Sequence, residues 1–124
     1  YIQGRRNVKG KEKMKTNEVI YISGAISGTS DYMERFEKAE AFLKGKGYKV
    51  INPAKVMCPL DGVLGYEDMM DIDMMLIDRA DIIFMLKGWR ESKGANREYG
   101  LAMGKEKIVI EEEDGDLIKS MLMR

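Results

Sequence analysis

Short β-branched runs alternate with longer segments of helical spacing along this chain, and few folds accept that alternation. Glu18 to Ser23 is β-branched and aromatic, ends at Gly24, and reads as a first strand. Asp31 to Lys44 sets Tyr32, Phe36, Ala39 and Leu43 at helical intervals, with Met33 and Phe42 flanking the stripe, and Gly45 and Gly47 stop it. Tyr48 to Ile51 is a second strand closed by Asn52-Pro53, and a loop holding Cys58 and Pro59 follows. Tyr66 to Arg79, rich in Met and acid, is helical in composition; Ala80 to Leu86 is the third strand, Ser92 to Met103 a helix, and Lys107 to Glu111 the fourth strand. Asp116 to Met123 reads as a short terminal helix. Strands separated by helices of about ten to fifteen residues need right-handed crossovers, so the expected fold is a small doubly wound, flavodoxin-like α/β parallel sheet with helices on both faces. A strand order 2-1-3-4 puts a topological switch point between the first and third strands, where open sheets bind their ligands.

Size and charge narrow the classes. A chain of 124 residues, 44% hydrophobic, suits one compact domain and is short for two. Its 21 basic and 21 acidic residues cancel, which argues against a protein built to coat nucleic acid or an anionic membrane. Residues 1–13 hold five basic residues and one acid and lack hydrophobic periodicity, so they read as a disordered leader or an appended remnant. Residues 14–124 then form the domain, with a net charge of minus four. No stretch approaches the roughly 18 apolar residues of a membrane span. The single cysteine, Cys58, excludes an internal disulfide and fits a reducing cytoplasm. Without histidine, the chain has neither His-type zinc sites nor Ser-His-Asp or Cys-His catalysis, and acid–base work falls to carboxylates, Tyr, Lys or Cys58.

Three segments carry candidate chemistry. The loop Ser23-Gly24-Ala25-Ile26-Ser27-Gly28-Thr29-Ser30 is small and hydroxyl-rich; its glycines let backbone amides approach a ligand, and the following helix start favours an anion. It lacks the Walker ending and the dinucleotide fingerprint, and it reads equally as a plain βα turn with Ser30 or Asp31 as cap. The acids Glu67, Asp68, Asp71, Asp73, Asp78 and Asp81 are mostly the solvated face of a Met-rich helix. Asp73, eight residues before Asp81, is placed to lean over the crevice. Oxygen ligands would suit magnesium, but no compact ligand loop is visible, and no metal or cofactor is expected. The third segment, Gly88 to Glu98, begins where the run Ile82 to Leu86 ends. Ser92 at its helix start either caps free amides or binds an anion, and Glu98 lies about a turn and two-thirds further on. Glu98 is either a carboxylate beside the cleft or a surface partner of Arg97 or Lys105.

Tyr21-Ile22-Ser23-Gly24, Asn52-Pro53-Ala54, Asp73 with Ala80-Asp81, and Gly88-Trp89, Ser92, Gly94-Ala95 and Glu98 with Ala102 together resemble the nucleoside 2-deoxyribosyltransferase superfamily. The similarity runs from about Val19 to Ile110 and is greatest to a bacterial and phage branch with a Tyr-Ile-Ser-Gly start and a Gly-Trp-x-x-Ser-x-Gly-Ala-x-x-Glu run. The resemblance implies that Glu98 is the nucleophile at the anomeric carbon, that Asp73 assists proton transfer at the leaving base, and that Tyr21 or Ser23 orients the sugar. It implies a phosphate cradle of Ser23, Gly24, Ser27, Gly28, Ser92 and Gly94. The transferases carry an aspartate where Ser92 stands, whereas the branch hydrolysing deoxynucleoside 5'-monophosphates carries a phosphate-binding serine. The expectation is therefore cleavage or transfer at the N-glycosidic bond of a nucleoside or its 5'-monophosphate, without a cofactor. The resemblance also implies a homodimer or higher homo-oligomer, for which Met69, Met70, Met74 and Met75 offer an adaptable apolar surface or, alternatively, core filling. A nucleotide-binding or sensing module without turnover is the competing expectation. A flavin-type site is disfavoured, since the loops lack an aromatic pair to sandwich the ring.

Overall fold

A computed structural model of the chain describes residues 17–26, 28–113, 116, 117 and 119. The leader of residues 1–13, Ser27 and most of the expected terminal helix lie outside these. The elements are β1 (Val19–Ser23), α1 (Tyr32–Gly45), β2 (Lys49–Ile51), α2 (Pro53–Met57), α3 (Tyr66–Arg79), β3 (Ile82–Met85), α4 (Lys93–Gly104) and β4 (Ile108–Glu111). The four strands are parallel in the order β2-β1-β3-β4, as the sequence predicts. The chain leaves β1 towards one edge and returns past it to β3, so the switch point falls between β1 and β3.

The strand period of two sorts the core into two layers. Ile20 and Ile22 of β1 pack with Ile82 and Phe84 of β3 against Phe36, Ala39 and Leu43 of α1 and Ala54 of α2. Tyr21 faces the other way, into a layer with Ile83, Met85, Ile77 of α3, and Ala95 and Ala102 of α4. Ser23, two residues on, shares the face of Tyr21, and both are fully buried. One polar pair at the carboxyl end of β1 is thus directed at the α3 and α4 side.

The helix boundaries follow local chemistry. α1 ends at Gly45, and Gly47 takes the left-handed φ of 98° that a side chain would resist. α2 is the element the sequence reading leaves as loop, although its signal is present: Asn52 caps it by accepting from Ala54 N at 3.0 Å, and Pro53 occupies its first turn. Its five residues show no amphipathic period, so the cap was the legible sign. Gly24, directly after β1, packs closely on Leu86, directly after β3; a Cβ there would meet Leu86 Cβ at 3.0 Å.

Candidate active site

The third segment of the sequence folds into a loop braced from within. Gly88 adopts φ 88°, turning the chain out of β3 into a 3-10 turn at Trp89–Glu91. Trp89 is buried and stacks on Tyr99 with ring centroids 4.7 Å apart, while its indole N–H donates to Glu111 Oε1 at 3.3 Å. Asn96 closes the loop by donating to the carbonyls of Arg90 (2.9 Å) and Ser92 (2.8 Å). Ser92 Oγ accepts from Ala95 N at 3.1 Å, starting α4, and Ala95 packs in the core, so Glu98 is carried inward one turn later. Neither surface partner of the alternative reading reaches it: Arg97 pairs with Glu67 and Lys105 with Asp78.

Glu98 is 7% exposed, and both its oxygens are engaged. The Tyr21 hydroxyl donates to Oε2 at 2.8 Å and the Ser23 hydroxyl to Oε1 at 2.5 Å. Tyr21 and Ser23 therefore hold the carboxyl from beneath. Neither residue is among those lining the cavity at the switch point, and both hydroxyls are directed at Glu98. Asp73, on α3, stands beside Glu98 and Tyr21, and its buried Oδ1 has no hydrogen-bond partner. Burial, and then the neighbouring Asp73, push the Glu98 carboxyl well above its ordinary range, against the opposing hydrogen bonds from Ser23 and Tyr21. Burial likewise raises Asp73, while the neighbouring Glu98 and Tyr21, as groups able to share a proton with it, act to lower it. Burial and the two carboxyls keep the Tyr21 phenol protonated, as a donor should be. Two carboxyls so placed hold a proton between them more readily than two charges.

The pair lines a cavity of about 740 Å³ at the switch point. From the first loop come Gly24 and Ile26, from the second Glu91, Ser92, Lys93 and Gly94. The two loops meet across one crevice, as the topology predicts. Gly94 faces open space, and Ser92 both caps α4 and lines the wall. Gly28, at φ 82°, turns the first loop and is not part of the lining; Ser27 lies outside the described residues. Of the other acids, Asp81 accepts from Val19 N at 2.9 Å, Asp68 and Asp71 are exposed, and Glu67 and Asp78 are the ion-pair partners named above. The methionines of α3 divide: Met69 and Met70 turn into the cavity, whereas Met74 and Met75 are exposed. Among the described residues no group of three or more Cys, Asp or Glu is arranged to hold a metal ion, and no helix is long and apolar enough to cross a membrane.

With this geometry in view, comparisons with known proteins place the chain. Residues 18–111 match the profile of a domain of unknown function, DUF4406. The chain belongs to the DUF4406 family. Its fold is similar to the solution structure of BlsM, with a TM-score of 0.62 and 21% identity over 80% of this chain and 67% of that one. No curated protein sequence matches. The DUF4406 match spans the whole sheet and every cavity-lining residue from Gly24 to Glu98.

Several residues of the site escape sequence reasoning. Tyr32 and Phe36 of α1, and Pro53, Ala54 and Met57 of α2, form much of the apolar lining. The α1 residues read as core stripe, which Phe36 also is; α2 had only its Asn-Pro cap to announce it. Glu40, a buried carboxylate on the apolar face of α1, carries no sequence signal at all.

Proposed function

We propose that this protein cleaves or transfers at the N-glycosidic bond of a (deoxy)nucleoside or its 5'-monophosphate, with Glu98 as nucleophile and Asp73 as acid. The observation that carries the reading is the Glu98 carboxyl, gripped by Tyr21 and Ser23 on the wall of a cavity and set beside an Asp73 whose Oδ1 lacks a partner. The resemblance to nucleoside 2-deoxyribosyltransferases assigns the same two residues those roles.

The chemistry follows from a pair of carboxyls with one proton. In the free protein the shared proton sits on Glu98, the more strongly raised of the two; in the reaction it passes to Asp73 as substrate fills the cavity, leaving Glu98, held by two hydroxyl donors, as the carboxylate. The Glu98 carboxylate attacks the anomeric carbon as the C–N bond breaks; the bond's electron pair goes to the base nitrogen, which takes the proton of Asp73. Positive charge developing on the sugar ring is stabilised by a buried carboxylate, where Coulomb attraction is less screened than in water. The glycosyl ester so formed also relieves the burial of the Glu98 charge. Water, or a second base, then attacks the ester, with Asp73 taking a proton from the incoming group.

Ser92, Gly94 and Lys93 at the start of α4 supply a hydroxyl, amides and a cation suited to a 5'-phosphate. Met74 and Met75, exposed on the helix that lines the cavity with Met69 and Met70, are the surface we assign to homo-oligomer contact. Incubation with a panel of nucleosides and 5'-monophosphates, with and without an acceptor base, followed by chromatography for free base, tests the reading. Released base that disappears in Glu98→Ala supports it. Calorimetric binding with no base released from any substrate defeats it in favour of a nucleotide-binding module.

A further inference from the structure

The Asn52-Pro53-Ala54 segment and the buried Glu40 have no part in the chemistry above, yet they form one connected cluster. Glu40 sits on the inward face of α1, 8% exposed, with both oxygens taken. Its Oε1 accepts from Asn52 Nδ2 at 3.0 Å and pairs with Lys55 Nζ at 3.1 Å; its Oε2 pairs with Lys44 Nζ at 2.8 Å. Asn52 is itself buried and uses its other side-chain atom, Oδ1, to cap α2. One carboxylate thus ties α1 to the end of β2 through Asn52 and to α2 through Lys55. Burial acts to raise the Glu40 carboxyl, but the hydrogen bonds from Lys44, Asn52 and Lys55 outweigh it and hold the group at about 2, so the tie stays charged.

A helix of five residues has no stability of its own. The placement of α2 therefore depends on what holds it: the cap, the Lys55–Glu40 pair and the burial of Pro53, Ala54 and Met57. Those three buried residues line the same cavity as Asp73 and Glu98, and Cys58, directly after α2, lines it too. A shift of α2 would move that wall without touching either carboxyl.

We propose that Glu40 and Asn52 are positioning residues that fix the α2 wall and thereby set how tightly the cavity holds its ligand, leaving the bond-breaking step to Glu98 and Asp73. The clamp rests on the observed contacts; that the ligand is a nucleoside or nucleotide rests on the function proposed above.

Amide hydrogen exchange supplies a direct test, because the Lys55 and Cys58 amides donate to the Asn52 and Ala54 carbonyls and exchange when α2 opens. Asn52→Ser keeps a capping hydroxyl but cuts the bond to Glu40; Glu40→Gln keeps the shape and removes the charge; Lys38→Gln is a surface control. Exchange at these two amides is timed by NMR without denaturant, on variants shown by circular dichroism to be folded. Asn52→Ser and Glu40→Gln are expected to speed it about fivefold or more and to raise KM for base release about tenfold with kcat within about twofold, the signature of lost ground-state binding. Exchange rates and KM within about twofold of the unaltered protein in both variants, or a fall in kcat at constant KM, overturn the proposal. If the unaltered protein releases no base, the glycosidic reading fails separately, and unchanged exchange still refutes the clamp while accelerated exchange upholds it.

Discussion

Glu98→Gln removes one ionisable proton from the buried pair while keeping the size and shape of the side chain, so it separates the cost of burying this group from its chemical use. Because the carboxyl is raised in the folded protein, the folded state holds a proton that the unfolded chain releases near pH 4.5. That stability is complete below the unfolded value and is lost as pH rises through the raised folded value. Within this window the stability of the unaltered protein falls by about 1.4 kcal/mol per pH unit for the one proton concerned. For a domain of this size that is about 5 °C in Tm per pH unit. The glutamine variant lacks the part of the slope that Glu98 supplies, while Asp73, also raised by burial, remains in both proteins. At pH 4.5 it should match the unaltered protein or lie about 1 kcal/mol below it, since an amide accepts from Tyr21 and Ser23 less well than a carboxyl does. At pH 8 it should be the more stable of the two, while base release falls about 10³-fold or more for want of the nucleophile. Thermal melts followed by circular dichroism from pH 4.5 to 8.5 read the effect. Glu40 does not confuse them: its carboxyl is lowered to about 2, so its contribution is complete above its ordinary value of 4.5 and is lost only as pH falls towards 2. Parallel stability curves for the two proteins would refute the assignment of a raised, proton-holding Glu98.

Other substitutions read other parts of the site. Gly24→Ala puts a methyl 3.0 Å from Leu86 Cβ, where neither strand end can easily give, and should cost about 1–3 kcal/mol in urea unfolding. Ser92→Ala removes the cap of α4 and should cost about 1 kcal/mol, with a further loss of affinity for a 5'-monophosphate but not for the nucleoside, measured by calorimetry. Lys93→Ala should weaken monophosphate binding about fivefold at low salt, with the difference shrinking as salt is raised and the nucleoside unaffected. Met75→Glu, on the exposed face of α3, should lower the oligomer fraction in sedimentation without lowering the melting temperature of the fold.

The fold was largely legible in the sequence because its signals are local. Gly24, Gly45 and Gly47, and the β-branched runs ending at Ser23, Ile51 and Leu86, punctuate the chain where the elements change, and strand order follows from short crossovers. Where the reading fell short, the deciding quantity was not local. α2 is held by Glu40, twelve residues before Asn52, and no periodicity reports such a bond. From local pattern alone Glu98 reads more readily as a surface ion pair than as a cleft carboxylate, because whether Arg97 or Asp73 is its neighbour depends on the angle at which α4 meets α3.

The assignment of Tyr21 and Ser23 shows how the fold and the site constrain one another. Residues two apart on a strand share a face, and this face of β1 is covered by α3 and α4, so both hydroxyls are bound to be buried. Buried hydroxyls without a partner would cost about 1–3 kcal/mol each. The fold therefore needs an acceptor at that point, and α4 brings Glu98 to it. A carboxyl is the one common side chain with two acceptor oxygens for two donors, yet burying it beside Asp73 is unfavourable and leaves it eager to be neutralised. The same juxtaposition that completes the hydrogen bonds of β1 thus prepares a carboxyl for ester formation. Tyr21→Phe should then relax the grip without leaving a hydroxyl unpaired: the fold survives, and the Glu98 carboxyl, having lost one donor, moves further up. The pH at which base release reaches half its maximum should rise accordingly, and an unchanged or lowered midpoint would show that the phenol does not govern the ionisation of Glu98.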